Sequence, residues 1–324
     1  MIRFLVRRLA QAALVVFAVV SLTFFLLRLA PGDPLSASLE HPSVSPEVRA
    51  RWRAELGLDR PLPVQYVRWV AAAARGDLGV SSVSARPVGV MVREALPNTL
   101  LLMGTALLAS FVLGIAVGVV QAVLRGTLAD RALGMGSLLF YSMPEFWLAT
   151  VALIAFTYWL PIFPSGGLTT PVVYDYMGPV EKVADRVRHL VLPAATLTLL
   201  TSAAIARYQR SAMLDVIHED WLRTARAKGL AERAVIFRHA LRNALLPVIT
   251  LFGLAFPALL GGAVFVEKVF SWPGMGRVAV DAIGSRDYPL VLACVLVGSL
   301  MVAAGNLVAD LLYAAVDPRM REAG

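Results

Sequence analysis

The sequence predicts an all-α, polytopic membrane helical bundle of about six transmembrane helices, with a small extracytoplasmic insertion after the first. Three observations carry that prediction. Of the 324 residues, 58% are apolar and only 16% charged, against about a quarter charged in an ordinary soluble domain. The charges fall in a few clusters separated by long charge-free runs. Six of those runs approach the roughly 20 apolar residues that a helix needs to cross a hydrocarbon core about 30 Å thick.

Taken in order, the first run extends from Leu9 to Leu29, with Arg28 close enough to its end to snorkel into the headgroups. It follows the basic stretch MIRFLVRR, as the apolar part of a signal peptide would, but it is nearer 20 residues than 10 and so reads as an uncleaved span. The segment from Pro31 to Asn98 is too polar and too long for a simple turn. Its Pro and Gly punctuation (PGDP at 31–34, RPLP at 60–63) and an amphipathic stretch from Val64 to Ala74 predict a small cap containing one short helix. The second span lies within Ala95 to Leu124. A third, Ala132 to Leu160, is interrupted by Glu145, and a fourth runs from Leu190 to Ala206. Asn243 to Val266 and Tyr288 to Val316, the latter containing Asp310, complete the set. The resulting division is a first helix over 1–30, a cap over 31–97, a five-helix core over 98–316 that includes a loop at 211–245, and a tail over 317–324.

Short loops rich in Lys and Arg stay on the cytoplasmic side. With the N-terminus inside, that side holds Arg3, Arg7 and Arg8, then Arg125 and Arg131, then the group from Arg207 to Arg242, and finally Arg319 and Arg321. The long outer segment has eight arginines, but seven acids accompany them. Both termini are therefore predicted to be cytoplasmic. The same placement explains the net charge of +8 without nucleic acid, because the basic residues sit between apolar runs rather than on a polar domain.

Other chemistries find little support. Cys294 is the single cysteine and lies in an apolar run, where it reads as a small buried residue. His41, His189, His218 and His239 are far apart in sequence, and no HExxH, CxxC or EF-hand pattern occurs. Intramembrane proteolysis would require a nucleophile with its base, or paired carboxylates, within the bilayer, and no convincing pair is present. Two acids fall in spans, where an ionisable group is costly and usually faces protein or a wet pathway. Glu145 is a candidate for lining such a pathway, the alternative being a structural hydrogen bond at a subunit contact, and Asp310 reads as interfacial.

The most informative stretch is DVIHEDWLRTARAKGLAERAVIFRHALRNALLP, from Asp215 to Pro247. It reads as two short helices broken at Gly229, since Gly adopts positive φ at no steric cost. Ala225, Ala227 and Leu230 offer a small apolar face, surrounded by Arg223, Arg226, Lys228 and Arg233. The residues alone fit a docking element for a partner's groove and a solvated basic loop equally well.

This segment resembles the EAA loop of binding-protein-dependent ABC importer permeases, in the form TARAKG followed by RHALRNALLPVIT at 238–250. That form is typical of the dipeptide/oligopeptide/nickel branch. The general family pattern begins Glu-Ala-Ala with a Pro nearer the Gly; here Thr224-Ala225-Arg226 stands instead, and Pro247 lies far beyond Gly229. The resemblance extends along the chain through LRLAPGDP at 27–34, LPNTLLL at 96–102, SMPEFWLA at 142–149, WLPIFPSGG at 159–167, LPAATL at 192–197, FSWPGMGR at 270–277, RDYPLV at 286–291 and DPRMR at 317–321. Each block is weak alone; in order they are specific, and they are most like the first, B-type, permease of such systems.

The resemblance implies a type I importer permease fold and a set of partners: two ATPase subunits or one heterodimer, a second homologous permease, an extracytoplasmic substrate-binding protein, and membrane lipid. It implies a peptide substrate, with relatives that carry nickel or glutathione. It also implies that Arg223, Thr224, Ala225, Arg226, Ala227, Lys228, Gly229 and Leu230 form the coupling helix that sits in a groove of the ATPase. Nucleotide binding of the P-loop type requires a Gly-rich loop ending Gly-Lys-Ser/Thr, and the only such neighbours, Lys228 and Gly229, stand in the reverse order. ATP and Mg are thus expected on the partner subunits, with no cofactor and no enzyme activity in this chain. The competing reading is a transporter driven by an ion gradient, for which Glu145 beside Pro144 is the one feature that fits, with no repeat partner.

Overall fold

The computed structural model describes residues 2–29, 59–249, 251–252, 255 and 263–316. Among them every named element is helical, and extended pairing is limited to an isolated bridge between Val80 and Pro87. The helices in chain order are α1 (Ile2–Leu29), α2 (Leu62–Ala74), α3 (Val88–Val123), α4 (Leu128–Ser142), α5 (Glu145–Leu153), α6 (Pro179–Ile217), α7 (Asp220–Ala227), α8 (Glu232–Ala234), α9 (Leu241–Ala244), α10 (Val264–Val269), α11 (Met275–Gly284) and α12 (Tyr288–Val316). Single wide turns at Ile154–Trp159 and Val235–Ala240 extend α5 and join α8 to α9.

Among the described residues, α1, α3, α6 and α12 are each long and apolar enough to cross a membrane, which makes four spans, or five when the bent pair α4–α5 is counted as one. The run from Asn243 to Val266 lies partly outside the described residues, as do His41, the PGDP block at 31–34 and the DPRMR block at 317–321. Two spans differ from expectation in length. The fourth, predicted as Leu190 to Ala206, is the 39-residue helix α6. At 1.5 Å per residue it is about 58 Å long, so its polar ends extend well beyond a bilayer core. Hydropathy marks only the apolar middle, whereas the helix continues through Glu181, Lys182, Asp185, Arg186 and Arg188 at one end and Arg207 and Arg210 at the other. The 36-residue α3 likewise starts before its apolar run.

The third span is not a straight helix interrupted by an acid. Met143 and Pro144 are both extended, with ψ of 135°: Met143 because a residue before proline is pushed out of the α region, Pro144 as the cap of the helix that follows. The chain turns by 105° between α4 and α5. Glu145 therefore begins α5 instead of lying in mid-helix.

The described chain falls into two compact units. The first comprises residues 1–99 and 273–304. In it Val88, Val92 and Ala95, spaced along one stripe of α3, pack with Met275 and Ala282 of α11 and with Leu290, Val291, Ala293 and the buried Cys294 of α12. The expected short outer helix is α2, which starts two residues earlier than predicted, after Pro61 and with Pro63 in its first turn, where a missing N–H costs nothing. Its Tyr66 and Trp69 pack around the buried Phe24 of α1. A buried carboxylate fixes the loop before α3: Asp287 accepts from the Ser81 hydroxyl and from the Ser82 backbone N–H at 3.1 Å.

The second unit comprises residues 100–272 and 305–324. Helix α6 is its centre, packing with α4, α5, α9 and α10. Leu102, Ala106, Ala149, Leu192, Ala194, Leu197, Val266, Phe270 and Trp272 form its main core. Where α3 crosses α6 the contact is made by Gly114 and Gly118. A Cβ at Gly114 would lie 2.6 Å from the Ile205 Cβ and 2.9 Å from the Ser202 carbonyl oxygen; one at Gly118 would lie 2.6 Å from the Ala206 carbonyl oxygen. Two glycines four apart thus allow backbone to meet backbone, which is how membrane helices associate without a hydrophobic driving force.

Candidate functional site

The site is built on the feet of α3 and α6. Leu222 and Ala225 of α7, three residues apart, are buried with Val119 and Ala122 of α3, Met213 of α6, and Val235, Ile236, Ala240 and Ala244 of the following segment. Leu222 is 0% exposed. At roughly 25 cal/mol per Å² of apolar surface, burying such a leucine contributes about 2 kcal/mol, enough to hold an eight-residue helix that would not form alone. The structure therefore places Ala225 on the inner side of α7, against its own membrane helices. Thr224, Ala227, Lys228, Gly229 and Leu230 remain exposed, with Arg223.

Gly229 ends α7. Its φ is +77°, the Gly229 N–H donates to the Arg226 carbonyl at 2.9 Å, and the Leu230 N–H reaches back to the Ala225 carbonyl at 3.4 Å. These are the two bonds of a Schellman motif, which requires a left-handed residue at that position. Arg226 closes the turn from the side: its guanidinium donates to both Glu232 oxygens, with Nη2 at 3.0 Å from Oε1 and Nε at 3.2 Å from Oε2. This hydrogen-bonded pairing holds the Glu232 carboxyl below the usual glutamate range and raises Arg226 further. Arg223 pairs with Asp220 of its own helix at 3.2 Å. The outcome is a knuckle with one face packed against the ends of α3 and α6 and a cationic, partly apolar face outward.

Sequence reasoning missed two members of the outward side. Trp221 is 41% exposed and Phe237 60% exposed; large exposed aromatics on a short, well-anchored segment are the residue types that anchor protein interfaces. The signal was present in the spacing of Leu222 and Ala225, which turns Trp221 outward once those two face in. His218, at the end of α6, meets Arg125 at 3.4 Å, and His239 is half-buried near the same segment.

Glu145 sits apart from this knuckle. It opens α5 directly after the bend, where a helix N-terminus favours an anion. Val266 of α10 offers its backbone to the carboxylate, and Oε1 is buried without a hydrogen-bond partner among the described residues. Asp185 and His189, on α6, are both buried, the carboxylate accepting from Thr170 through its N–H at 2.8 Å and its hydroxyl at 2.6 Å.

Residues 110–322, which include the knuckle and the bent span, match the family model described as binding-protein-dependent transport system inner membrane component, and residues 1–103 match its N-terminal counterpart. The chain belongs to this family of transport-system membrane components. It is a multi-pass membrane permease subunit rather than a catalytic enzyme, and the type I permease fold is the one its helices build. Full-length relatives of the permease carry the same message. The chain is 38% identical over 321 residues to an oligopeptide transport system permease protein, AppB, of Bacillus subtilis, covering 99% of each. It is 41% identical over 336 residues to the di/tripeptide transport system permease protein DppB of Pseudomonas aeruginosa, again 99% of each. A glutathione transport system permease protein, GsiC, of Salmonella paratyphi A is 39% identical over 322 residues, with 99% of each covered. This membership favours the binding-protein-dependent importer over the ion-gradient transporter.

Proposed function

We propose that this permease imports di- and oligopeptides, pairing with a second, homologous permease to enclose the pathway. An extracytoplasmic binding protein delivers the peptide, and two ATPase subunits, which bind the ATP and Mg, drive the change of access. In this reading both termini are cytoplasmic, residues 31–97 cap the outer face, and residues 98–316 form the permease core. Peptide cargo is supported by the names of full-length relatives at about the same identity, two of which carry peptides and one the tripeptide-like glutathione.

The observation that carries the coupling role is the double attachment of α7. Its inner residues, Leu222 and Ala225, are packed into the ends of α3 and α6, while Arg223, Thr224, Ala227, Lys228 and Leu230 face out. A displacement imposed on the outer face by a partner is thereby delivered to two membrane-spanning helices. Arg226 and Gly229 keep the segment stiff, so that the displacement is not absorbed in the turn. Glu145, at the bend between α4 and α5, is the residue we assign to the pathway wall.

The experiment is recovery of the tagged chain from its native membrane in mild detergent, with a cysteine at Lys228 for disulfide trapping. An ATPase subunit cross-linked through Lys228→Cys, together with a second permease and a binding protein in the recovered material, is the expected result. Recovery of the chain alone, or cross-linking that ignores Lys228 and follows a distant surface cysteine equally well, overturns the reading.

A further inference from the structure

A cavity of about 330 Å³ opens between α4 and α6, within the second compact unit and away from the α7 knuckle. Its charged wall consists of Asp130, Arg131, Arg207 and Arg210. Asp130 is only 8% exposed and is fully engaged: Arg210 donates to it in a two-bond fork, Nε to Oδ1 at 3.1 Å and Nη2 to Oδ2 at 3.0 Å, and the Gly126 N–H adds a third bond at 3.0 Å. Arg131 and Arg207 have no carboxylate partner among the described residues; Arg207 lies 5.2 Å over the ring of Tyr141. Three guanidinium groups therefore face one carboxylate, leaving an excess of two positive charges around a space bounded by the small residues Gly134, Ser137 and Ala203.

The setting of that charge narrows its ligand. Arg131 stands one turn into α4, directly after the polar turn at 124–127 that follows the apolar run of α3, so the cavity lies at a membrane boundary. On the same side of α4 as Arg131, Leu128, Met135, Leu138 and Leu139 are all more than half exposed. An arginine-lined space at the headgroup level continuing into an exposed apolar stripe is complementary to a molecule with an anionic head and a hydrocarbon tail. On the proposed topology, with both termini cytoplasmic, this boundary meets the cytoplasmic leaflet, whose surface is negatively charged.

We infer that the α4–α6 cavity is a binding site for the phosphodiester headgroup of an anionic phospholipid, held by Arg131 and Arg207, with its acyl chains along the Met135, Leu138 and Leu139 stripe. Arg210 stays with Asp130 and shapes the site; Tyr141 positions the Arg207 guanidinium by covering one of its faces. The phosphate oxygens accept from Arg nitrogens in a planar, forked geometry. The bound lipid ties α4 to α6 at the level where both leave the membrane.

The test uses the permease in its assembled complex, purified in detergent and exposed to lipid from vesicles of phosphatidylcholine alone or mixed with phosphatidylglycerol, with retained lipid read by native mass spectrometry. Selective retention of phosphatidylglycerol is expected, weakened about fivefold for each of Arg131→Gln and Arg207→Gln, and largely kept in the Arg131→Lys/Arg207→Lys variant. Equal retention of the two lipids by the wild-type complex overturns the proposal, and decides the matter even if the glutamine variants fail to assemble. Displacement of the lipid by inorganic phosphate identifies a soluble oxyanion as the ligand and overturns the lipid assignment. Displacement by a dipeptide but not by its C-terminal amide places the cavity on the cargo route and overturns it as well. None of these readouts depends on uptake, so a failure of the importer reading is distinguishable from a failure of this one.

Discussion

Two places in this permease depend on glycine for opposite reasons. At the crossing of α3 and α6 the backbone of Gly114 and Gly118 lies in an ordinary helix, and space is what is missing: an added Cβ would meet neighbouring atoms at 2.6 Å. At the end of α7 space is abundant, with nothing within 4 Å of a Cβ built on Gly229, yet φ is +77°. The crossing thus needs a missing side chain and the turn needs a permitted conformation. One feature fixes how closely two spans approach; the other fixes the turn that ends α7.

The sharpest way to break this comparison is to fill the crossing. Gly118→Leu forces α3 away from Ala206 and Gln209 of α6, an overpacking expected to destabilise the second unit by about 1–3 kcal/mol or more, and it should lower the thermal midpoint of the detergent-solubilised permease. Asparagine offers no relief here, because its Cβ meets the same atoms. If Gly118→Asn were as stable as the wild type, the crossing would be looser than these distances allow.

At Gly229 the order of tolerance reverses. Gly229→Val should cost about 1–2 kcal/mol locally, the penalty of a left-handed conformation for a residue with a Cβ, while Gly229→Asn, which visits that region readily, should cost distinctly less. Both should reach the membrane, with uptake falling in the valine variant and largely retained in the asparagine variant. Equal loss in both would mean that the space around Gly229 is occupied by a partner, so that sterics and not φ governs the site. Leu230→Glu is the complementary probe: it removes an exposed apolar contact without touching α7's anchors. It should leave stability within about 0.5 kcal/mol and still suppress uptake of a labelled dipeptide.

What the sequence made legible follows the same division. Apolar runs located the spans because hydropathy is a local property, and the glycine-interrupted basic segment located the knuckle because a chain reversal needs a residue type visible at one position. Four features were not read from the sequence. The length of α6 was hidden because its ends are polar and helical at once, so charge density pointed to loop where the backbone continues. The bend at Pro144 was marked by a proline that a single-span reading ran through, and it moved Glu145 from mid-span to a helix start. The fork between Asp130 and Arg210 joins positions 80 residues apart, and Ala225 could be assigned to an inner face only after Val119, Met213 and Val235 were seen beside it. Family resemblance singled out the segment as a whole, but not which of its residues face their own membrane helices.

The smallest effect tests the stiffness of the turn through its ion pair. Glu232 titrates below its ordinary range because Arg226 hydrogen-bonds the ionised form, so its contribution is fully present above the unfolded-state value, about 4.3, and is lost as pH falls through the depressed folded-state value. Arg226 is shifted upward and stays charged throughout. A spin label at Lys228→Cys should therefore report constant mobility from about pH 8 to pH 6 and increasing mobility only under acid conditions, below the ordinary glutamate range. Because both side chains are substantially exposed, high salt should weaken the pair and reduce the acid effect. Glu232→Gln should show the looser state at every pH. A mobility step centred between pH 6 and 7, well above the range in which Glu232 titrates, would make the Arg226–Glu232 clip a bystander.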